Sequence, residues 1–249
     1  MIGYLRLSIR VILTVLWIFI ILLPLFITRQ LRLQNINSMF MMISFYVGSL
    51  IWGVRVSTEG TLAKERPLLI VSNHFSYLDV FALGSQIPAR FITKSEVASW
   101  PIIGPICKIG GCVFIDRRRQ RTLHNMSELN HISRQKAVIS LFPEGTTNEG
   151  IGLLPFRSSF FSIAEDLDVL VQPVSVIYTR LSGKPLDDST RPIVGWYGDA
   201  SFFPHAMRFL RERYVDVKLV FHPPVSSSQI ASRKDLANHC HDVIAKSFV

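Results

Sequence analysis

Acidic residues are scarce in this chain of 249 residues: 18 Asp and Glu stand against 27 Lys and Arg, giving a formal net charge of +9. A surface this basic suits nucleic acid or an anionic membrane face. No interleaving of aromatic and basic residues builds a nucleic-acid platform, so nucleic acid is set aside. Cysteine is also sparse. Cys107, Cys112 and Cys240 are odd in number and widely spaced, which argues against a disulfide framework and fits a cytosolic redox setting. No Cys/His spacing matches a zinc site, and His239-x-His241 has no third ligand nearby, so no metal is expected. The chain lacks a G-x-S-x-G elbow, a phosphate-binding P-loop and a G-x-G-x-x-G turn. No Ser or Cys is set up as a covalent nucleophile. Internal repeats and low-complexity linkers are absent as well.

Charge is missing altogether from two stretches near the start, residues 11–27 ("VILTVLWIFIILLPLFI") and residues 36–54 ("INSMFMMISFYVGSLIWGV"). With 49% apolar and 18% charged residues, the chain is too apolar for an ordinary soluble enzyme, and these stretches hold the surplus. The first is long for the apolar part of a signal peptide, and "TRQLRLQ" offers no small-x-small cleavage site, so it is expected to be retained. At about 1.5 Å per residue it spans roughly 26 Å, marginal against a hydrocarbon core of about 30 Å. Arg6 and Arg10 precede it, Arg29 and Arg32 lie between the stretches, and Arg55, Lys64 and Arg66 follow. Basic flanks on every side favour a helical hairpin embedded in one leaflet over two crossing helices. Residues 1–54 are therefore expected to form a membrane-associated hairpin and residues 55–249 a separate unit.

Beyond Gly53 the texture changes to apolar runs alternating with turn signals. "RPLLIVSN", "ARFITK", "GCVFIDR", "AVISLFPEGT", "VLVQPVSVIYTR" and "VDVKLVFHPPV" predict strands. Between them, helices are predicted over 77–86, 122–135, "PFRSSFFSIAEDL" and 233–248. This alternation predicts an α/β fold: one domain with a mostly parallel, helix-covered sheet. In such sheets, sites form beyond the carboxyl ends of strands. His74, Arg117 and Glu144 all fall there.

His74 and Asp79 in "NHFSYLD" are five residues apart, and no helix face brings together side chains at that spacing. They meet only if His74 lies just outside a helix and Asp79 in its first turn. Asp79 would then hold one ring nitrogen and leave the other as a base. The competing reading is a capping box, Ser76-x-x-Asp79, beside a histidine that merely ends a strand. "FPEGTT" supplies a turn at Pro143, an acid at Glu144, a close backbone approach at Gly145 and a hydroxyl at Thr146; it could also be an ordinary polar loop. Arg117, in the basic run 117–121, suits a phosphate or carboxylate, or is simply a solvated or lipid-facing surface. With no nucleophile in view, a base at His74 would act directly on a substrate hydroxyl.

In this order, "NHFSYLD", "GCVFIDR", "FPEGT" and "VQPVSV" resemble the four blocks of the glycerolipid acyltransferases, the family of 1-acylglycerol-3-phosphate acyltransferases. "GWYGDASFFPH" is similar to a segment of many bacterial members, and the resemblance spans roughly residues 53–222. It implies a membrane-bound O-acyltransferase of phospholipid biosynthesis, with its catalytic domain on the cytoplasmic face. His74 would deprotonate a lysolipid hydroxyl, oriented by Asp79, and amides at the helix start would receive the oxyanion. Arg117, Glu144, Gly145 and Thr146 would hold the acceptor head group. The acyl donor would be acyl-CoA or acyl-ACP as cosubstrate, with no cofactor. Many members carry Arg directly after the "FPEGT" threonine, where this chain has Thr147. The implied acceptor, 1-acylglycerol-3-phosphate, therefore has a runner-up in lyso-ornithine lipid, and a non-catalytic lipid-binding protein is the alternative of another class.

Overall fold

The computed structural model describes residues 1–115, 136–167 and 169–248. Helices α1 (Ile2–Gln30) and α2 (Gln34–Trp52) are followed by strand β1 (Val54–Glu59) and by β2 (Leu68–Ser72). Next come α3 (Leu78–Gln86), β3 (Ala89–Lys94), α4 (Ile103–Ile109), β4 (Val113–Ile115) and β5 (Val138–Leu141). The chain continues through α5 (Ser162–Leu167), the long β6 (Leu170–Leu181), β7 (Lys184–Pro185), α6 (Arg191–Val194) and α7 (Phe202–Phe209). It closes with β8 (Val215–Phe221), β9 (Val225–Ser226) and α8 (Arg233–Ala245).

The expected α/β sheet is there. Its main path runs β1-β8-β6-β2-β5-β3-β4. Every neighbouring pair on that path is parallel except β6 with β8. Strand β2, between β5 and β6, is buried at all its positions, as its unbroken apolar run requires when both faces are covered. Leu68 and Ile70 join the core beneath α2, α3 and α7, while Leu69 and Val71 join the one beneath α5 and α8. The expected helix over 122–135 and Arg117 lie outside the described residues.

The apolar hairpin is also there, but its helices differ in kind. Only α1, among the described helices, is long and apolar enough to cross a membrane, and it is mostly unburied. Helix α2 packs on α3 instead. A Cβ at Gly84 would lie 2.3 Å from the Phe45 ring, and one at Gly48 would lie 2.7 Å from the Phe81 ring. Two glycines thus let each helix seat a phenylalanine of the other. Ser49 adds a hydrogen bond from its hydroxyl to the Phe81 carbonyl. Gly48 and Ser49, which interrupt the second apolar stretch, thus serve a contact between two helices of this chain.

Candidate active site

Strand β2 ends at Ser72, and Asn73 extends its pairing with β6 by side chain. The Asn73 amide donates to the Val176 carbonyl at 2.9 Å and accepts from the Val176 N–H at 2.8 Å. His74 follows, outside the ladder, with α3 beginning four residues later. Its Nδ1 lies 2.8 Å from Asp79 Oδ2. The same oxygen accepts the N–H of Phe75 at 2.7 Å and of Ser76 at 3.0 Å. Oδ1 accepts the Tyr178 hydroxyl at 2.6 Å. With four donors converging on this fully buried carboxylate, Asp79 is the acceptor throughout, and the shared proton sits on Nδ1 of His74. Nε2 has no hydrogen-bond partner among the described residues. The ring stacks on Phe142 with centroids 3.9 Å apart, which fixes its plane, and the side chain stays 19% exposed. An imidazole held this way can take a proton on Nε2 while the carboxylate stabilises the cation that forms.

The two readings of Asp79 prove compatible. It supplies the acid half of a capping box, by accepting the Ser76 N–H, and it also holds His74. The Ser76 hydroxyl does not cap; it donates to the Val194 carbonyl at 2.7 Å. Of the helix-start amides expected to receive the oxyanion, those of Phe75 and Ser76 are already held by Asp79.

The loop after β5 lies against His74. Glu144 is 2% exposed, with Oε1 accepting the His74 N–H at 2.8 Å and Oε2 accepting from Asn148 Nδ2 at 2.6 Å and the Leu154 N–H at 3.1 Å. Burial pushes its carboxyl pKa up, against the pull of these hydrogen bonds. Gly145 has φ +70°, a left-handed turn conformation that costs glycine nothing. Thr146 is exposed beside it. So the structure gathers His74, Asp79, Glu144, Gly145 and Thr146 at the ends of β2 and β5.

Two residues were missed by sequence reasoning. Tyr178 reaches Asp79 because β6 outruns β2, and its pairing with β8 shifts register between Tyr178 and Arg180, a bulge of the kind that re-aims side chains. Burial drives its hydroxyl pKa well above the usual tyrosine value. The second is Asn148, whose polar run "TTNEG" gave no sign of burial. Around them wraps the segment 195–205. The Trp196 N–H donates to the Phe75 carbonyl at 3.1 Å, and His205 bridges the Tyr77 hydroxyl (3.0 Å) and the Gly195 carbonyl (2.8 Å). Beside the loop opens a cleft of about 390 Å³, whose lining includes Thr147, Asn148, Glu149, Leu153 and Tyr197.

Comparison with known proteins agrees with the motifs. A lyso-ornithine lipid O-acyltransferase of Brucella abortus is 39% identical over 75% of this chain and 73% of its own length. A 1-acyl-sn-glycerol-3-phosphate acyltransferase of Neisseria gonorrhoeae is 37% identical over 50% of each chain. The fold matches the crystal structure of the 1-acyl-sn-glycerophosphate acyltransferase PlsC of Thermotoga maritima, with a TM-score of 0.71 over 99% of this chain and 94% of that one, at 18% identity. The family model described as Acyltransferase matches residues 53–177, so the protein that presents this His74–Asp79 pair belongs to the acyltransferase family.

Proposed function

We propose that the chain moves a fatty acyl group from a thioester, acyl-CoA or acyl-ACP, to the hydroxyl of a lysolipid at the membrane. The observation that carries this reading is the His74–Asp79 pair, with Nδ1 engaged and Nε2 open among the described residues. Nε2 takes the proton of the acceptor hydroxyl as its oxygen attacks the thioester carbonyl carbon. The tetrahedral intermediate then expels the thiolate, which takes the proton back from the imidazolium. A thioester is already activated, so no acyl-enzyme is needed. Acid–base help of this kind is worth about 10²–10⁴-fold.

Lyso-ornithine lipid is the acceptor we favour, ahead of 1-acylglycerol-3-phosphate. Three observations support it. Thr147 stands where many family members place Arg. The cleft beside it is lined by Glu149 and by no cationic side chain among the described residues, which suits a head group carrying an ammonium better than a phosphate monoester. Relatives named for that acceptor align over three quarters of the chain. The second reading, 1-acylglycerol-3-phosphate, draws support from the basic run 117–121 and the exposed Arg157. One acyl donor with the two acceptors compares them. The favoured reading predicts kcat/KM at least about tenfold higher for lyso-ornithine lipid, with Thr147→Arg narrowing the gap. A preference for lysophosphatidic acid would reverse the order.

The membrane contact on this reading is the exposed side of α1, with the catalytic domain at the cytoplasmic face. One leaflet is favoured because both ends of α1 lie on the domain. Arg6 and Arg10 bond carbonyls of residues 210–213, and Leu25 packs in one cluster with Met41 and Ile109.

A further inference from the structure

His74 stands outside the sheet, yet every backbone group from His74 to Ser76 is bonded. The His74 N–H goes to Glu144 Oε1 and the His74 carbonyl accepts the Asn148 N–H at 2.9 Å. Asp79 takes the next two N–H groups. Trp196 and Asp79 supply the N–H groups that satisfy the Phe75 and Ser76 carbonyls, at 3.1 Å and 3.0 Å. Glu144 and Asn148, which hold the His74 peptide from its two sides, are joined by the 2.6 Å bond from Asn148 Nδ2 to Glu144 Oε2. Asn148 is itself pinned, 8% exposed, with Oδ1 accepting the Gly150 N–H at 2.6 Å. A carboxylate offers about four acceptor positions, and three of those on Glu144 are taken by this chain's own donors.

We propose that Glu144 and Asn148 form a clamp on the His74 peptide, and that Glu144 acts as a positioning residue for acyl transfer rather than as a contact to the acceptor head group. The inference rests on the reading of His74 as the base. Asp79 restrains the ring through Nδ1 and restrains the amides that follow; the clamp restrains the peptide groups of His74 itself. A proton acceptor displaced by about 1 Å can lose on the order of 10²-fold in rate, so the backbone of the base matters as much as its ring. Of the three loop residues, this leaves the exposed Thr146 side chain to face the acceptor.

The test uses the purified full chain with long-chain acyl-CoA and whichever lysolipid the wild type turns over. Glu144→Gln leaves an amide facing the Asn148 amide, and Asn148→Asp leaves two carboxylates facing each other. Each is expected to lower kcat by about tenfold or more, with acceptor KM changed by less than about twofold. The double variant restores an amide-to-carboxylate bond with the roles exchanged. It should recover part of kcat, partial because the Leu154 N–H is left without its acceptor. Should Glu144→Gln fail to fold, Asn148→Ala, which keeps the peptide N–H on His74, is expected to show the same split. A rise in acceptor KM with kcat retained, or no recovery in the double variant, would overturn the clamp. Imidazole nitrogen NMR gives a readout independent of turnover. The wild type should show one fixed His74 tautomer, and Asn148→Asp a shifted or exchange-broadened one. Unchanged ring signals would also overturn it. A wild type inactive with every donor and acceptor strikes at the acyltransfer reading instead, while the NMR comparison still decides the clamp.

Discussion

At the scale of single residues, the site depends on one carboxylate serving four donors. Asp79 lies in the first turn of α3, where the oxygen that accepts the Phe75 and Ser76 N–H groups also holds His74, so the helix start and the His74–Asp79 pair are one structure. The pair was legible in the sequence because helix-start signals place a residue five positions back within reach. Tyr178 was not legible: it lies 99 residues from Asp79 along the chain, and only the length of β6 and its bulge bring the two together. Ser76 misled in a smaller way, because its hydroxyl has a better-placed acceptor in Val194, which only the fold supplies. Tyr178→Phe deletes the donor to a fully buried carboxylate oxygen. Unfolding in denaturant should show a loss of about 1.5–3 kcal/mol, as expected for a hydrogen bond to a charged group. It should also lower kcat, because Asp79 is then less firmly held.

Among the elements, the strands were easiest to read. β2 and β5 are short, fully buried runs, apolar but for Ser72 and Ser140, and burial on both faces leaves that pattern no other use. The antiparallel β8 beside β6 was harder, since an apolar run carries no mark of its direction. Helix α2 is the instructive case. By composition it resembles α1, yet its Gly48 seats Phe81 of α3 while Gly84 of α3 seats Phe45. Phe45 also makes edge-to-face contacts with Phe81 and Phe91, at 6.0 and 5.7 Å between centroids. Gly84→Ala would drive a methyl group into the Phe45 ring. Thermal melting should show a loss of about 1–3 kcal/mol, the usual cost of overpacking. An unchanged melting temperature would mean that α2 moves aside freely.

Over the whole molecule, the basic flanks of α1 take on a different meaning. Arg10 is 9% exposed, its guanidinium spread over the carbonyls of Leu210, Glu212 and Arg213 just past the end of α7. A cation there complements the negative end of the helix. Charges that look like topology signals in the sequence are in part structural bonds, which only long-range contacts reveal. The exposed side of α1 is apolar, with Leu16 53% and Phe19 71% exposed, and on the proposed reading it faces lipid. Leu16→Glu with Phe19→Glu should cut cosedimentation with lipid vesicles while leaving the melting temperature nearly unchanged. Stability should also depend on pH through His205, whose pKa burial pulls below the ordinary histidine value. The unfolded chain then takes up its proton first, so stability is greatest above about pH 6.5 and falls as pH drops through and below it. His205→Gln should flatten that fall in urea unfolding compared at pH 5.5 and 7.5.

The central claim, that His74 is the base for acyl transfer to a lysolipid, is tested most directly by one rate comparison. Purified wild type and His74→Ala are given the same acyl thioester and lysolipid, and product formation is followed. The account predicts that wild type turns over and that the variant, still folded, loses about 10²–10⁴-fold in kcat. Equal rates in the two proteins would contradict it.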